Sequence, residues 1–211
     1  MYKRQSQYDV FGNFSRAITP NGTPSPHLQW DPTEQEIFDA ITDKRLDEEP
    51  MATIPEGMTA RAFAAHVARE RLRSAVPDVD TYCDAEINDS MYFTLFPNFH
   101  PWGAFNRINY RFRPVGTKVD ECLMECIYTE DFEGDERPAP AEYIELGIDQ
   151  DWTELIPVIG NLARVFHQDS FNLPKVQKGL ETFRADGLTL TKYQEVKIRH
   201  WHAMAERFIA N

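Results

Sequence analysis

Three β-rich runs in the middle of the chain, Ser90 to Phe96, Phe105 to Arg113 and Glu121 to Tyr128, restrict the fold more than any other feature. Turn formers separate them: Pro97-Asn98 after the first, Pro114-Val115-Gly116 after the second. Short β-prone segments broken by such turns predict an antiparallel meander. A sheet of this kind must cover its apolar face. Thr189 to Ile209 offers the cover: Leu190, Tyr193, Trp201, Met204 and Phe208 recur at helical spacing, with Lys197 as a polar member of the stripe. The predicted architecture is α+β, an antiparallel sheet packed on a long C-terminal helix, the longest in the chain.

The rest reads as helices and loops around that frame. Residues 1 to 30 hold weakly alternating β-prone pieces, among them Tyr8 to Phe14, and a loop from Pro20 to Pro26. Asp31-Pro32-Thr33-Glu34 predicts a capped helix start with Asp31 as N-cap and Pro32 in the first position. Residues 43 to 57 are charged and Pro-punctuated, a surface loop. Thr59 to Ala75 predicts a strong helix with Ala62, Phe63, His66, Val67 and Leu72 near one stripe, ended by Pro77. Helix returns over Asp151 to Phe166, interrupted at Pro157 and Gly160, and again over Leu173 to Phe183. There is no internal repeat.

The 211 residues suit one domain, and 42% hydrophobic with 12% aromatic residues suffice for a core. A formal net charge of −12 works against phosphate backbones and anionic lipid, so neither nucleic acid nor membrane is an expected partner. No apolar run reaches bilayer length, and residues 1 to 8 carry no apolar signal core, so the expected location is cytoplasmic. Cys83, Cys122 and Cys126 make no disulfide framework. Cys122 and Cys126 share a strand face and are expected as buried free thiols rather than half a metal site.

Four stretches carry a resemblance. They are Met91-Tyr-Phe-Thr-Leu-Phe-Pro-Asn98, the strand and turn from Arg107 to Gly116, Phe166-His-Gln-Asp-Ser-Phe-Asn-Leu-Pro-Lys-Val-Gln-Lys-Gly-Leu180, and the closing Arg199-His-Trp-His202. Over most of residues 8 to 209 the chain resembles the C-terminal part of the catalytic, mononuclear-iron domain of Rieske-type aromatic-ring-hydroxylating oxygenase α subunits. The third stretch is the most specific. The resemblance implies a helix-grip, START-like fold and insertion of O₂-derived oxygen into an aromatic ring at a non-haem Fe(II). It implies a 2Fe-2S Rieske cluster in a separate domain and electrons from NAD(P)H through a reductase, often with a ferredoxin. It also implies an α-subunit homotrimer, in some cases with a β subunit. A Rieske cluster needs two Cys and two His in a pattern this chain does not contain. The expectation is therefore one N-terminally incomplete catalytic domain over 1–211. Met1 to Gln5 resembles the translated end of a sequencing adapter and is expected to be non-native. The alternative is a START-like module that binds an apolar aromatic ligand without catalysis.

Facial-triad iron is held by two His and one carboxylate. The resemblance assigns the carboxylate to Asp169, three residues before Asn172. From the residues alone, Asp169 reads as a cap of the helix that follows, or as a surface residue, ahead of a ligand. His167 is a rival ligand or a neighbour of the site. The two His ligands of the family lie five apart on one helix, and His27, His66, His100, His167, His200 and His202 contain no such pair. His66 is expected in a helix core and His100 on a surface loop or at a pocket mouth. Alternation places Tyr92, Thr94 and Phe96 on one strand face, which the resemblance implies contains substrate-lining positions; core packing is the competing reading. Arg107 and Arg111 share a face that meets either an anionic substrate or the acidic surface.

Overall fold

The computed structural model describes residues 6–103, 105, 107–129, 132–160 and 162–210. Residues 1–5, expected to be non-native, lie outside the described residues. The chain divides into two compact units: Met1–Arg113 with Leu123–Arg137 and Leu190–Asn211, and Pro114–Cys122 with Pro138–Thr189.

The first unit is built on a six-stranded sheet in sequence order. Its strands are β1 (Gln7–Val10), β2 (Phe14–Thr19), β3 (Ser90–Leu95), β4 (Phe99–Pro101), β5 (Ile108–Pro114) and β6 (Cys122–Tyr128). The pairs from β1 through β5 are antiparallel, as the turn signals predict. Two strands extend the predicted meander at its first edge. A tight turn, with the Phe11 N–H on the Phe14 carbonyl at 2.8 Å, folds β1 onto β2, and β2 pairs along the whole of β3. β4 occupies the segment read as a loop after Pro97-Asn98.

Between β2 and β3 run three helices: α1 (Glu34–Ile41), α2 (Ala60–Leu72) and α3 (Asp84–Asn88). The cap of α1 is Thr33, not Asp31. The Thr33 hydroxyl accepts from the Glu36 N–H, and the Glu36 carboxylate accepts from the Thr33 N–H at 2.8 Å, closing a reciprocal box two residues later than expected. α2 starts at its Thr59 cap as predicted. Phe38 and Phe63, with ring centroids 5.0 Å apart, centre one apolar cluster. Ala65, Leu72, Val79 and Ile87 centre another. His66, expected in the core, is exposed, because the face of α2 that is buried runs through Phe63, Ala64 and Ala65. A partly buried ion pair fastens α2 to the entry of β3: Arg61 grips Asp89 at 2.6 and 3.2 Å.

The C-terminal helix α6 spans Val196–Ala210, starting seven residues later than Thr189. Side chains take the backbone groups that a longer helix would need. The Glu195 carboxylate holds the Thr191 N–H, and the Arg199 guanidinium holds the Thr191 and Lys192 carbonyls. Of the predicted stripe, Trp201, Met204 and Phe208 lie on α6 and meet the sheet, while Leu190 and Tyr193 precede the helix. Met204 is buried, and the rings of Trp201 and Phe208 lie 5.8 and 4.9 Å from that of Phe96.

The second unit contains α4 (Trp152–Leu155), a 3-10 turn (Pro157–Ile159) and α5 (Leu162–Glu181). At 20 residues, α5 is the longest described helix and passes through Pro174. Buried Trp152, Ile159, Ala163 and Phe166 form the centre of this unit, with the Trp152 and Phe166 rings 5.4 Å apart. Among the described residues no helix is long and apolar enough to cross a membrane.

Candidate functional site

Strand register places a row of side chains on one face of the sheet. Tyr8 opposes Ala17, and Ala17 opposes Tyr92; one step along, Ser15 opposes Thr94. Directly opposed residues share a face. Ala17 and Ser15 are small and fully buried, so the row sags between the larger side chains that flank it. α6 and its lead-in flank this depression and leave an open cavity of about 370 Å³. Tyr8, Tyr92, Thr94 and His100 form its sheet wall. Gln194, Lys197, Ile198 and Trp201 form its helix wall. That volume is at the lower end of small-molecule sites and suits one or two aromatic rings.

Alternation therefore groups Tyr92, Thr94 and Phe96 correctly, and the three divide between two jobs. Tyr92 and Thr94 line the cavity, while the Phe96 ring packs on Trp201 and Phe208. Burial raises the Tyr92 phenol above its ordinary value.

His100 is not on a surface loop. It lies in β4, paired with Tyr110, with its ring 5.9 Å from Tyr110 and 5.3 Å from Phe112. Burial, helped by the Lys197 charge, lowers its pKa to about 4, so the ring is neutral at pH 7. Lys197 projects from α6 with Nζ 4.2 Å from the centroid of the Tyr92 ring, and burial brings its pKa down to about 8.

Neither Arg107 nor Arg111 belongs to this cavity. Arg111 opposes Phe99, whose partner Leu95 is on the other face. Arg111 and Arg113 close on Glu125, each at 2.6 Å, and those two arginines pull the Glu125 pKa to about 2. Arg107 donates to the Tyr128 hydroxyl at 3.1 Å. The cysteines are free. Cys122 is exposed rather than buried; Cys126 is half-buried, and its thiol is pushed up to about 11 by desolvation.

Asp169 belongs to the second unit and sits seven residues inside α5, so it caps no helix. It follows the buried Phe166 by one helical turn. Though exposed, it loses enough hydration to raise its carboxyl pKa. His167 places Nδ1 3.7 Å from the Asp151 carboxylate, and that nitrogen has no hydrogen-bond partner among the described residues. Asp151 itself caps α4 through Thr153. Among the described residues no three His, Cys, Asp or Glu side chains converge as a metal site. A lone carboxylate is one hard oxygen donor, and the described residues do not complete a facial triad around Asp169.

Sequence reasoning missed Tyr8 and Lys197 as cavity residues, and gave His100 a pocket mouth only as the lesser of two readings. The one available signal was Lys197 itself, a cation inside an otherwise apolar stripe. No protein-family model, curated protein or solved structure significantly matches the chain.

Proposed function

We propose that the chain is part of the catalytic domain of a ring-hydroxylating oxygenase. In this reading the sheet and α6 form a helix-grip, START-like holder for an aromatic substrate, and Asp169 is the carboxylate ligand of a mononuclear non-haem Fe(II). The observation that carries the proposal is the aromatic-walled cavity over Tyr92 and Thr94, at strand positions the resemblance marks for substrate. The two histidine ligands and the Rieske cluster would come from residues outside these 211, with electrons delivered from NAD(P)H through a reductase or ferredoxin to a trimeric assembly. Within this chain the work is to orient the ring: Tyr92 and Trp201 offer faces for it, and Thr94 a hydroxyl at the wall.

Elemental analysis tests this on a longer protein that adds a histidine-bearing segment. Such a protein should carry one mononuclear iron per chain and lose it on Asp169→Ala. A second reading, an aromatic-binding module without catalysis, is favoured by one feature: every wall residue of the cavity belongs to the sheet-helix unit. Aromatic binding with no iron in the longer protein would select it.

A further inference from the structure

Lys197 is a cation with no anionic partner among the described residues. Among the described residues its ammonium makes no hydrogen bond and no ion pair, in a chain with 34 acidic residues against 22 basic ones. The arginines of the surrounding sheet are already engaged: Arg16 with Asp9 at 2.8 Å, Arg111 and Arg113 with Glu125. The cavity wall holds no carboxylate to serve Lys197. The groups facing it are Tyr8 from β1, Tyr92 from β3, His100 from β4, Gln194 from the segment before α6 and Trp201 from α6 itself; burial keeps His100 neutral at pH 7 and raises the Tyr92 phenol. What Lys197 has is the Tyr92 ring face, with Nζ 4.2 Å from the centroid. A ring quadrupole attracts a cation, but more weakly than an anion does in a partly dehydrated site.

A ligand that enters this cavity meets aromatic faces on two sides and one uncompensated positive charge. We infer that the cavity is a site for a small aromatic ring bearing a carboxylate, with Lys197 as the carboxylate's partner. The Thr94 hydroxyl on the sheet wall and the Gln194 amide on the helix wall are neutral donors lining the same cavity. This inference rests on the proposed aromatic-holding role and narrows it from aromatic rings in general to aromatic acids. Burial of Lys197 fits the same picture, since an ammonium held partly out of water gains most from an incoming anion.

The test compares 2-naphthoate with 2-naphthamide, a neutral ligand of nearly the same shape, by calorimetric titration of the 211-residue chain at pH 7. Naphthoate is expected to bind about tenfold more tightly, the scale of one charge-assisted hydrogen bond. Lys197→Met should bring naphthoate down to the naphthamide value and leave naphthamide within about twofold, since methionine keeps the stem and suits the apolar stripe. Lys197→Arg should keep the preference. Equal binding of the two ligands by the wild type, or a preference that survives Lys197→Met, overturns the inference while leaving an aromatic site in place. Binding of neither ligand overturns both the inference and the aromatic-holding role.

Discussion

The Trp201 indole nitrogen donates to the Pro97 carbonyl at 2.7 Å and so ties α6 to the turn that follows β3. The Phe96 ring, one residue earlier, packs between Trp201 and Phe208. One helix face thus holds the end of the strand that carries Tyr92 and Thr94. Trp201→Phe keeps an aromatic ring and deletes the donor. It should lower stability by about 1 kcal/mol in urea unfolding, the usual net value of one hydrogen bond. It should also loosen the helix wall of the cavity, seen as weaker naphthamide binding. An unchanged urea midpoint would show that the bond contributes nothing.

Arg61 and Asp89 fasten the helical insertion to the sheet. Asp89 is buried and also accepts from the Asn21 N–H at 3.0 Å. Arg61→Met leaves that carboxylate without its cation, at an expected cost of about 2–4 kcal/mol. Gly22 belongs to the same clasp. Its φ is +74°, and a Cβ there would lie 2.6 Å from the Arg61 Cα, a backbone atom that cannot swing aside. Gly22→Ala combines this clash with left-handed strain and should destabilise by at least about 1–3 kcal/mol. Thermal or urea unfolding of the two variants checks both values.

How much of this was legible depends on whether the cause is local. The strands at Ser90, Ile108 and Cys122 were legible because Pro97-Asn98 and Pro114 to Gly116 punctuate them. β4 was not: three residues ending in Pro101 carry too little pattern, and their strand state comes from pairing with β5. Asp169, Ser170, Asn172 and Pro174 favour caps and helix ends, so nothing local joins the helices expected on either side of them. In the structure, burial of Ala163 and Phe166 anchors the N-terminal part of one helix that continues past them. Lys197 was visible as an anomaly in its stripe. Nothing local says that residue 197 meets residue 92, so its role required the fold.

His100 should give stability a specific acid dependence. Its folded-state pKa, about 4, is below the ordinary 6.5 because burial disfavours the charged ring. Between these values the unfolded chain binds more protons, so the histidine's contribution is fully present above pH 6.5 and is lost as pH falls toward 4. His100→Phe keeps a ring against Tyr110 and Phe112 and removes the titration. Urea midpoints at pH 4.5, 5.5 and 7 should fall less steeply for this variant than for the wild type. Parallel slopes would place the acid sensitivity elsewhere.

The naphthoate preference should itself titrate. A carboxylate needs the ammonium form of Lys197, whose pKa is held near 8. The preference over naphthamide is therefore expected to be constant from pH 6 to 7 and to shrink above about pH 8, as the amine loses its proton. His100, Tyr8 and Tyr92 face the same cavity, but the histidine is already neutral in this range and burial raises the Tyr92 phenol. Lys197→Arg should remove the decline. A preference that persists unchanged to pH 10 would mean that another group holds the anion.

Iron per chain, read by elemental analysis with and without Asp169, bears on the oxygenase reading itself. One carboxylate competes poorly with water for Fe(II), so the 211-residue chain should bind iron far below stoichiometry. A longer protein that adds the histidine-bearing segment and a Rieske domain should hold one mononuclear iron. Its Asp169→Ala variant should lose that iron while the Rieske absorption stays unchanged. Stoichiometric iron in the short chain, or full mononuclear occupancy in the long Asp169→Ala variant, would contradict the assignment.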